Sequence, residues 1–138
     1  MNSDQGKRGN GGEALRRLAE QLREEGTPIS PHVVEPDPAA EVYGSPVLDA
    51  VREGYLLHYG EPRLLAGHDD DLAVLAGDYL YALGIERLAA SGDCAAVLEL
   101  AELIGACAQR HVEGREEEVP GLWRSAAVAI GDESAPNQ

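Results

Sequence analysis

Phenylalanine is absent from these 138 residues, and aromatics together make up 4% of the chain. Aromatic and β-branched side chains favour strands, whereas Leu and Ala are strong helix formers. The apolar 43% consists mainly of Leu, Ala and Val. Helices are therefore expected, not sheets. Basic residues are also scarce: 11 against 25 acids, for a formal net charge of -14. A field of that sign repels nucleic-acid phosphates and anionic membrane surfaces alike. Its plain role is solubility, and its alternative role is attraction of a cation or a basic partner.

Only two cysteines occur, Cys94 and Cys107. On one helix they would stand about 20 Å apart, and a disulfide needs Cα atoms within about 7 Å. They are expected as buried thiols in a reducing cytoplasm. No run approaches the roughly 18 apolar residues of a membrane span. Met1 to Gly12 has no apolar centre for a signal peptide. There is no repeat at a fixed period, no Ser-His-Asp order and no phosphate-binding glycine loop. The two Cys and four His do not show zinc spacing.

What is present reads as an all-α chain of four to five helices. Residues 1–12 are polar and Gly-rich, and read as a disordered tail. Residues 13–26 hold a first helix with Leu15, Leu18 and Leu22 on one stripe, stopped by Gly26. Residues 27–43 contain four of the eight prolines and form a non-helical linker or strap, with Val33 and Val34 as anchors. The helical core then spans residues 44–131, with a frayed tail over 132–138, and one compact domain is expected at this length.

Within that core, Ser45 and Pro46 cap and open a second helix carrying Val47, Leu48, Val51, Tyr55 and His58. Gly60 and Pro62 end it. Asp69, Asp70 and Asp71 start a third, with Leu72, Leu75, Ala76, Tyr79, Leu80 and Leu83 as its apolar face and Gly92 as its stop. Asp93 caps a fourth helix to about Glu117, with a buried stripe of Val97, Leu100, Ala101, Ile104 and Ala108. Pro120 starts a short fifth, through Leu122, Trp123, Ala127 and Ile130 to Gly131.

Asp69, Asp70, Asp71 and Asp78 are the candidate metal ligands, since carboxylates suit Mg²⁺. Three adjacent acids on a helix point about 100° apart and cannot all converge on one ion, although Asp71 and Asp78 share a face. The alternative is an acidic helix start with one capping side chain. Asp78 can equally take a hydrogen bond from a neighbouring helix. Gly77 and Gly84, seven apart, share a face too, and each costs about 1 kcal/mol relative to Ala. That tolerance points to close approach by another helix, or else by a ligand. His58, between Tyr55 and Tyr59, is a candidate proton relay or a half-buried helix edge. His111 and Glu113, near Arg110 and Arg115, mark a helix end whose bases suit the dipole.

The stretch Leu72-Ala-Val-Leu-Ala-Gly-Asp-Tyr-Leu-Tyr-Ala-Leu-Gly-Ile-Glu-Arg-Leu-Ala-Ala-Ser-Gly-Asp93 resembles a helix of the trans-polyprenyl diphosphate synthases, the polyprenyl synthetase family. Ala108-Gln-Arg-His-Val-Glu-Gly-Arg115 is similar to the end of that family's next helix. The likeness covers Leu72 to Arg115, under a third of the chain. Asp69-Asp70-Asp71-Leu72-Ala73 lacks the last Asp of the family's DDxxD motif, no Arg pair follows, and there is no second aspartate-rich motif. Gly77 and Asp78 are the positions that match.

The resemblance implies an isoprenoid-synthase-like helical fragment, short and degenerate. It further implies a non-catalytic accessory subunit of a catalytic prenyl diphosphate synthase in isoprenoid (quinone side-chain) biosynthesis. Gly77, Tyr79, Tyr81 and Gly84 would supply the interface. One alternative is a Mg²⁺-dependent isoprenoid-diphosphate-binding protein or small enzyme. Another is a self-associating helical scaffold, a homo-oligomer unrelated to isoprenoids.

Overall fold

A computed structural model describes the backbone of residues 2–134 and the side chains of residues 12–130. Five α-helices run in chain order: α1 (Asn2–Glu24), α2 (Pro46–Tyr59), α3 (Asp70–Ala90), α4 (Cys94–Val112) and α5 (Val119–Ser134). Short 3-10 turns lie at Ser30–His32 and Glu116–Glu118. Among the described residues there is no strand, only one antiparallel bridge between Val33 and Leu65. The expectation of an all-α chain with four to five helices holds. No described helix is long and apolar enough to cross a membrane.

The chain divides into two compact units, Met1–Gly84 and Ile85–Gln138, rather than forming the single body expected from its length. The break falls inside α3. At 21 residues that helix is about 30 Å long, enough for its two ends to join different sets of neighbours.

In the first unit, α1 buries Leu15, Leu18, Ala19 and Leu22, the stripe that the leucine spacing predicts. These pack with Ile29, Ala50, Leu57, Leu64, Leu65, Ala76 and Leu80 in one hydrophobic cluster. The backbone of α1 is helical from Asn2, where composition predicts a disordered tail. Extending a formed helix adds one hydrogen bond per residue without a new nucleus, so weak formers can follow strong ones. Met1, and residues 135–138 of the expected C-terminal tail, lie outside the described residues.

The proline-rich segment is a strap and not a free linker. Val34 N–H donates to the Leu64 carbonyl at 2.7 Å, and Ala66 N–H to that of His32 at 3.0 Å. Val33 packs on the core cluster, whereas Val34 is exposed and contributes through its backbone.

α3 departs from its predicted face at one position. Ala76 and Leu80 are buried, with Leu72, Tyr79 and Leu83 packed beside them, but Leu75 is 56% exposed. It lies about 100° round the helix from Ala76, at the margin of the covered side.

In the second unit, Asp93 Oδ1 accepts from Ala96 N–H at 3.0 Å and starts α4. Gly92, at φ +84, supplies the left-handed residue between α3 and α4. The buried stripe of α4 is Ala96, Leu100, Leu103 and Cys107, about one residue round from the predicted one. The helix is rich in Ala and Leu on both faces, so the sequence offers two adjacent apolar stripes. Packing against α5, which buries Trp123, Ala126 and Ile130, selects between them. α4 ends at Val112 rather than near Glu117, because Gly114 adopts φ +72. α5 continues past Gly131 to Ser134. Neither cysteine forms a disulfide, Cys107 being buried as expected but Cys94 exposed at the start of α4.

Candidate functional site

The polar and small residues singled out in α3 come together with α2. Ser45 Oγ accepts from Leu48 N–H at 3.3 Å, so α2 starts where the Ser-Pro pair predicts. This sets Gly54 and His58 one turn apart on one side of the helix. A Cβ placed on Gly54 would stand 2.8 Å from the Gly77 carbonyl oxygen and 2.9 Å from the Tyr81 ring. A Cβ on Gly77 would stand 2.7 Å from His58 Nε2 and 3.1 Å from the Gly54 carbonyl oxygen. At Gly84 it would overlap Val51 Cγ2 and reach the Val47 carbonyl oxygen at 3.2 Å. The glycine line therefore lets α2 approach. Gly77 and Gly84 are occupied within the chain, which corrects the expectation that they face a partner protein.

His58 sits over this crossing. Its Nε2 is 3.1 Å from Asp78 Oδ1, and its ring centroid is 5.3 Å from that of Tyr81. Asp78 thus takes a hydrogen bond from the neighbouring helix, one of its two sequence readings. Tyr81 is part of the same crossing. Tyr79, also expected at a partner interface, instead donates its hydroxyl to Glu25 Oε1 at 2.8 Å. A His-Asp pair can move a proton, but no Ser or Cys adjoins it among the hydrogen bonds of the described residues.

The acidic helix start is arranged as a cap. Asp69 Oδ1 accepts from Leu72 N–H at 2.8 Å, while Asp70 and Asp71 point to solvent in the first turn. Asp78 lies two turns on, held by His58. No three His, Cys, Asp or Glu side chains among the described residues are grouped to hold a metal ion. The four aspartates named as Mg²⁺ ligands do not converge, because consecutive helical positions diverge and the cap fixes Asp69. His68 is half-buried, and its Nδ1 is sealed from solvent without a hydrogen-bond partner among the described residues.

Beside the cap is an open groove of about 500 Å³. Pro28, Leu72 and Leu75 give it an apolar floor, and Asp69 and Asp71 an acidic edge. His32 also lines it, its Nδ1 3.2 Å from the Ala66 carbonyl oxygen.

One polar centre was not foreseen. Asp49 and Glu53, both fully buried, share Arg63. Arg63 donates through Nη1 to Asp49 Oδ1 at 3.1 Å and through Nε to Glu53 Oε1 at 2.9 Å. Its remaining reach goes to the carbonyls of Glu41, at 2.7 Å, and Asp49, at 2.8 Å. Asp49 also accepts from Tyr43 and Gly44 N–H, at 3.0 and 3.1 Å, and Glu53 from Leu64 N–H at 2.8 Å. Burial pushes the Asp49 carboxyl above its ordinary range, opposed by Arg63 and by the Tyr43 and Gly44 amides. Every oxygen is satisfied, so the centre staples the strap and the α2–α3 loop to α2. Its sequence signal is two acids at i and i+4 within an apolar helix face, followed ten residues later by an arginine.

In the second unit, Arg110 Nε holds Glu118 Oε1 at 2.7 Å. Arg115 pairs with Glu113 at 2.9 Å and with Glu118 at 3.0 Å. Hydrogen bonds from Gln109 and Arg115 lower Glu113, and those from Arg115 and Arg110 lower Glu118. These groups tie off the α4–α5 turn.

In comparison with known proteins, no family model, curated protein or solved structure matches the chain.

Proposed function

We propose that the chain works by binding another protein, as a non-catalytic, polyprenyl-synthetase-like accessory subunit of a catalytic prenyl diphosphate synthase. The supporting observation concerns the two positions that match the family's helix. Gly77 is filled by the approach of α2, and Asp78 is tied to His58. Both have structural work inside the unit. Elsewhere on α3, Val74 and Leu75 are more than half exposed, an apolar surface open to a partner. The reading as a diphosphate-binding protein has less support. A diphosphate entering the groove would meet Asp69 and Asp71, with no Lys or Arg among the lining residues to offset their charge.

Co-expression with a full-length prenyl diphosphate synthase tests the proposal. The expected result is a stable complex and an altered product chain length. Absence of both, with the chain folded and in excess, rejects it. Calorimetric titration with Mg²⁺ and an isoprenoid diphosphate separates the alternative: heat that disappears in Asp71→Ala would favour it. A homo-oligomer by light scattering, without any synthase bound, would favour the scaffold.

A further inference from the structure

We infer that the groove between the Ser30–His32 turn and the start of α3 is the docking site for a cationic amphipathic helix of another protein. The inference rests on the protein-binding reading above and adds the surface and the chemistry of the partner. Leu75 projects at the groove with 56% of its surface exposed. Leu72 and Pro28 continue the apolar floor. The edge is acidic: it holds Asp71, which is exposed, and Asp69, whose Oδ1 accepts from Leu72 N–H in the cap. Asp70 stands exposed in the same turn.

An apolar floor bordered by carboxylates complements a helix whose Leu residues recur every three to four positions, with Lys or Arg alongside. The groove's volume of about 500 Å³ accommodates a few side chains of such a helix. A second copy of this chain is the poorer occupant. Each copy carries -14, and two such surfaces repel.

The test uses the full chain and a fluorescent Leu/Lys amphipathic helical peptide, with a Leu/Glu peptide of the same pattern as its counterpart. Binding is followed by anisotropy at low and moderate salt. The Leu/Lys peptide is expected to bind, and both Leu75→Asp and Asp71→Lys to weaken it by about tenfold or more. Glu102→Lys, in the second unit, is the control for simple charge attraction and should change affinity by less than about twofold. Leu75 and Asp71 are exposed, so both variants should fold, which circular dichroism checks. Equal losses in Glu102→Lys and Asp71→Lys would overturn the inference, as would equal binding of the Leu/Glu peptide. A dimer of the free chain that Leu75→Asp dissociates would also overturn it, by assigning the groove to a second copy. The two proposals fail separately. Peptide binding at the groove without synthase association removes the synthase as partner and leaves the site. Synthase association unaffected by Leu75→Asp removes the site and leaves the synthase.

Discussion

Gly54 on α2 and Gly77 on α3 meet backbone to backbone. A Cβ on either would stand 2.8 or 3.1 Å from the other's carbonyl oxygen. This reciprocal approach explains why an Ala-rich helix carries glycine in its interior. The cost in helix propensity, about 1 kcal/mol each, is offset by a helix contact that a methyl group would prevent.

Alanine at these glycines should destabilise despite its better propensity. Gly54→Ala meets a carbonyl oxygen that cannot rotate away, and is expected to cost roughly 1–3 kcal/mol. Gly77→Ala can displace the His58 ring, so its loss should be smaller and accompanied by loss of the Asp78 contact. Gly84→Ala overlaps Val51 Cγ2, and Val51→Ala should recover part of its loss in a double-mutant cycle. Gly105→Ala is the opposite case. Nothing lies within 4 Å of its Cβ position, and the helix should gain about 0.5–1 kcal/mol. Urea midpoints measure all four.

Arg63→Met should be among the most damaging single changes. It leaves two buried carboxylates without their cation, at a cost of roughly 3–5 kcal/mol, against total stabilities of about 5–15 kcal/mol. Replacing Asp49, Glu53 and Arg63 together by apolar residues should not restore wild-type stability. The N–H groups of Tyr43, Gly44 and Leu64 would lose their acceptors, at about 1–3 kcal/mol for each one left buried. Denaturant unfolding of the single and triple variants distinguishes these outcomes.

Asp49 and the pair Glu113 and Glu118 should respond to acid in opposite senses. Asp49 is raised above its ordinary 3.8, so the folded state holds the proton over a window in which the unfolded chain has released it. Its contribution to stability therefore falls as pH rises from about 3.8 through the raised value. Glu113 and Glu118 are lowered below 4.5. Their contribution is complete above that value and is lost as pH falls through the lowered one. Urea midpoints across this range should lose the first dependence in Asp49→Asn. Carboxyl chemical shifts should show Glu113 and Glu118 titrating below the ordinary glutamate range.

Asp69→Ala should cost about 1 kcal/mol, the usual value of a side-chain N-cap. Asp70→Ala should cost no more than a few tenths of that, through the helix dipole alone. Asp78→Ala should cost less than about 1 kcal/mol, because its side chain is 69% exposed. Thermal melts of the three variants measure the ranking. Equal losses at Asp69 and Asp70 would contradict the capping role.

Most helix starts and stops were legible from local residues alone. Ser45 with Pro46, Asp69, Asp93 and Gly92 act within about four positions of the backbone groups they serve, so their effect is written in adjacent sequence. The Leu15, Leu18 and Leu22 stripe was equally plain, because its opposite side is charged. The chain alone did not decide which of two apolar faces α4 buries, or that Leu75 stays outside the core. Each depends on what packs alongside, and an Ala/Leu helix presents more apolar surface than one neighbour covers. Nor could local reading match Asp49 and Glu53 with Arg63, or Tyr79 with Glu25 across 54 positions. A carboxylate on an apolar face is tolerable only if a distant donor reaches it, and tertiary structure brings that donor.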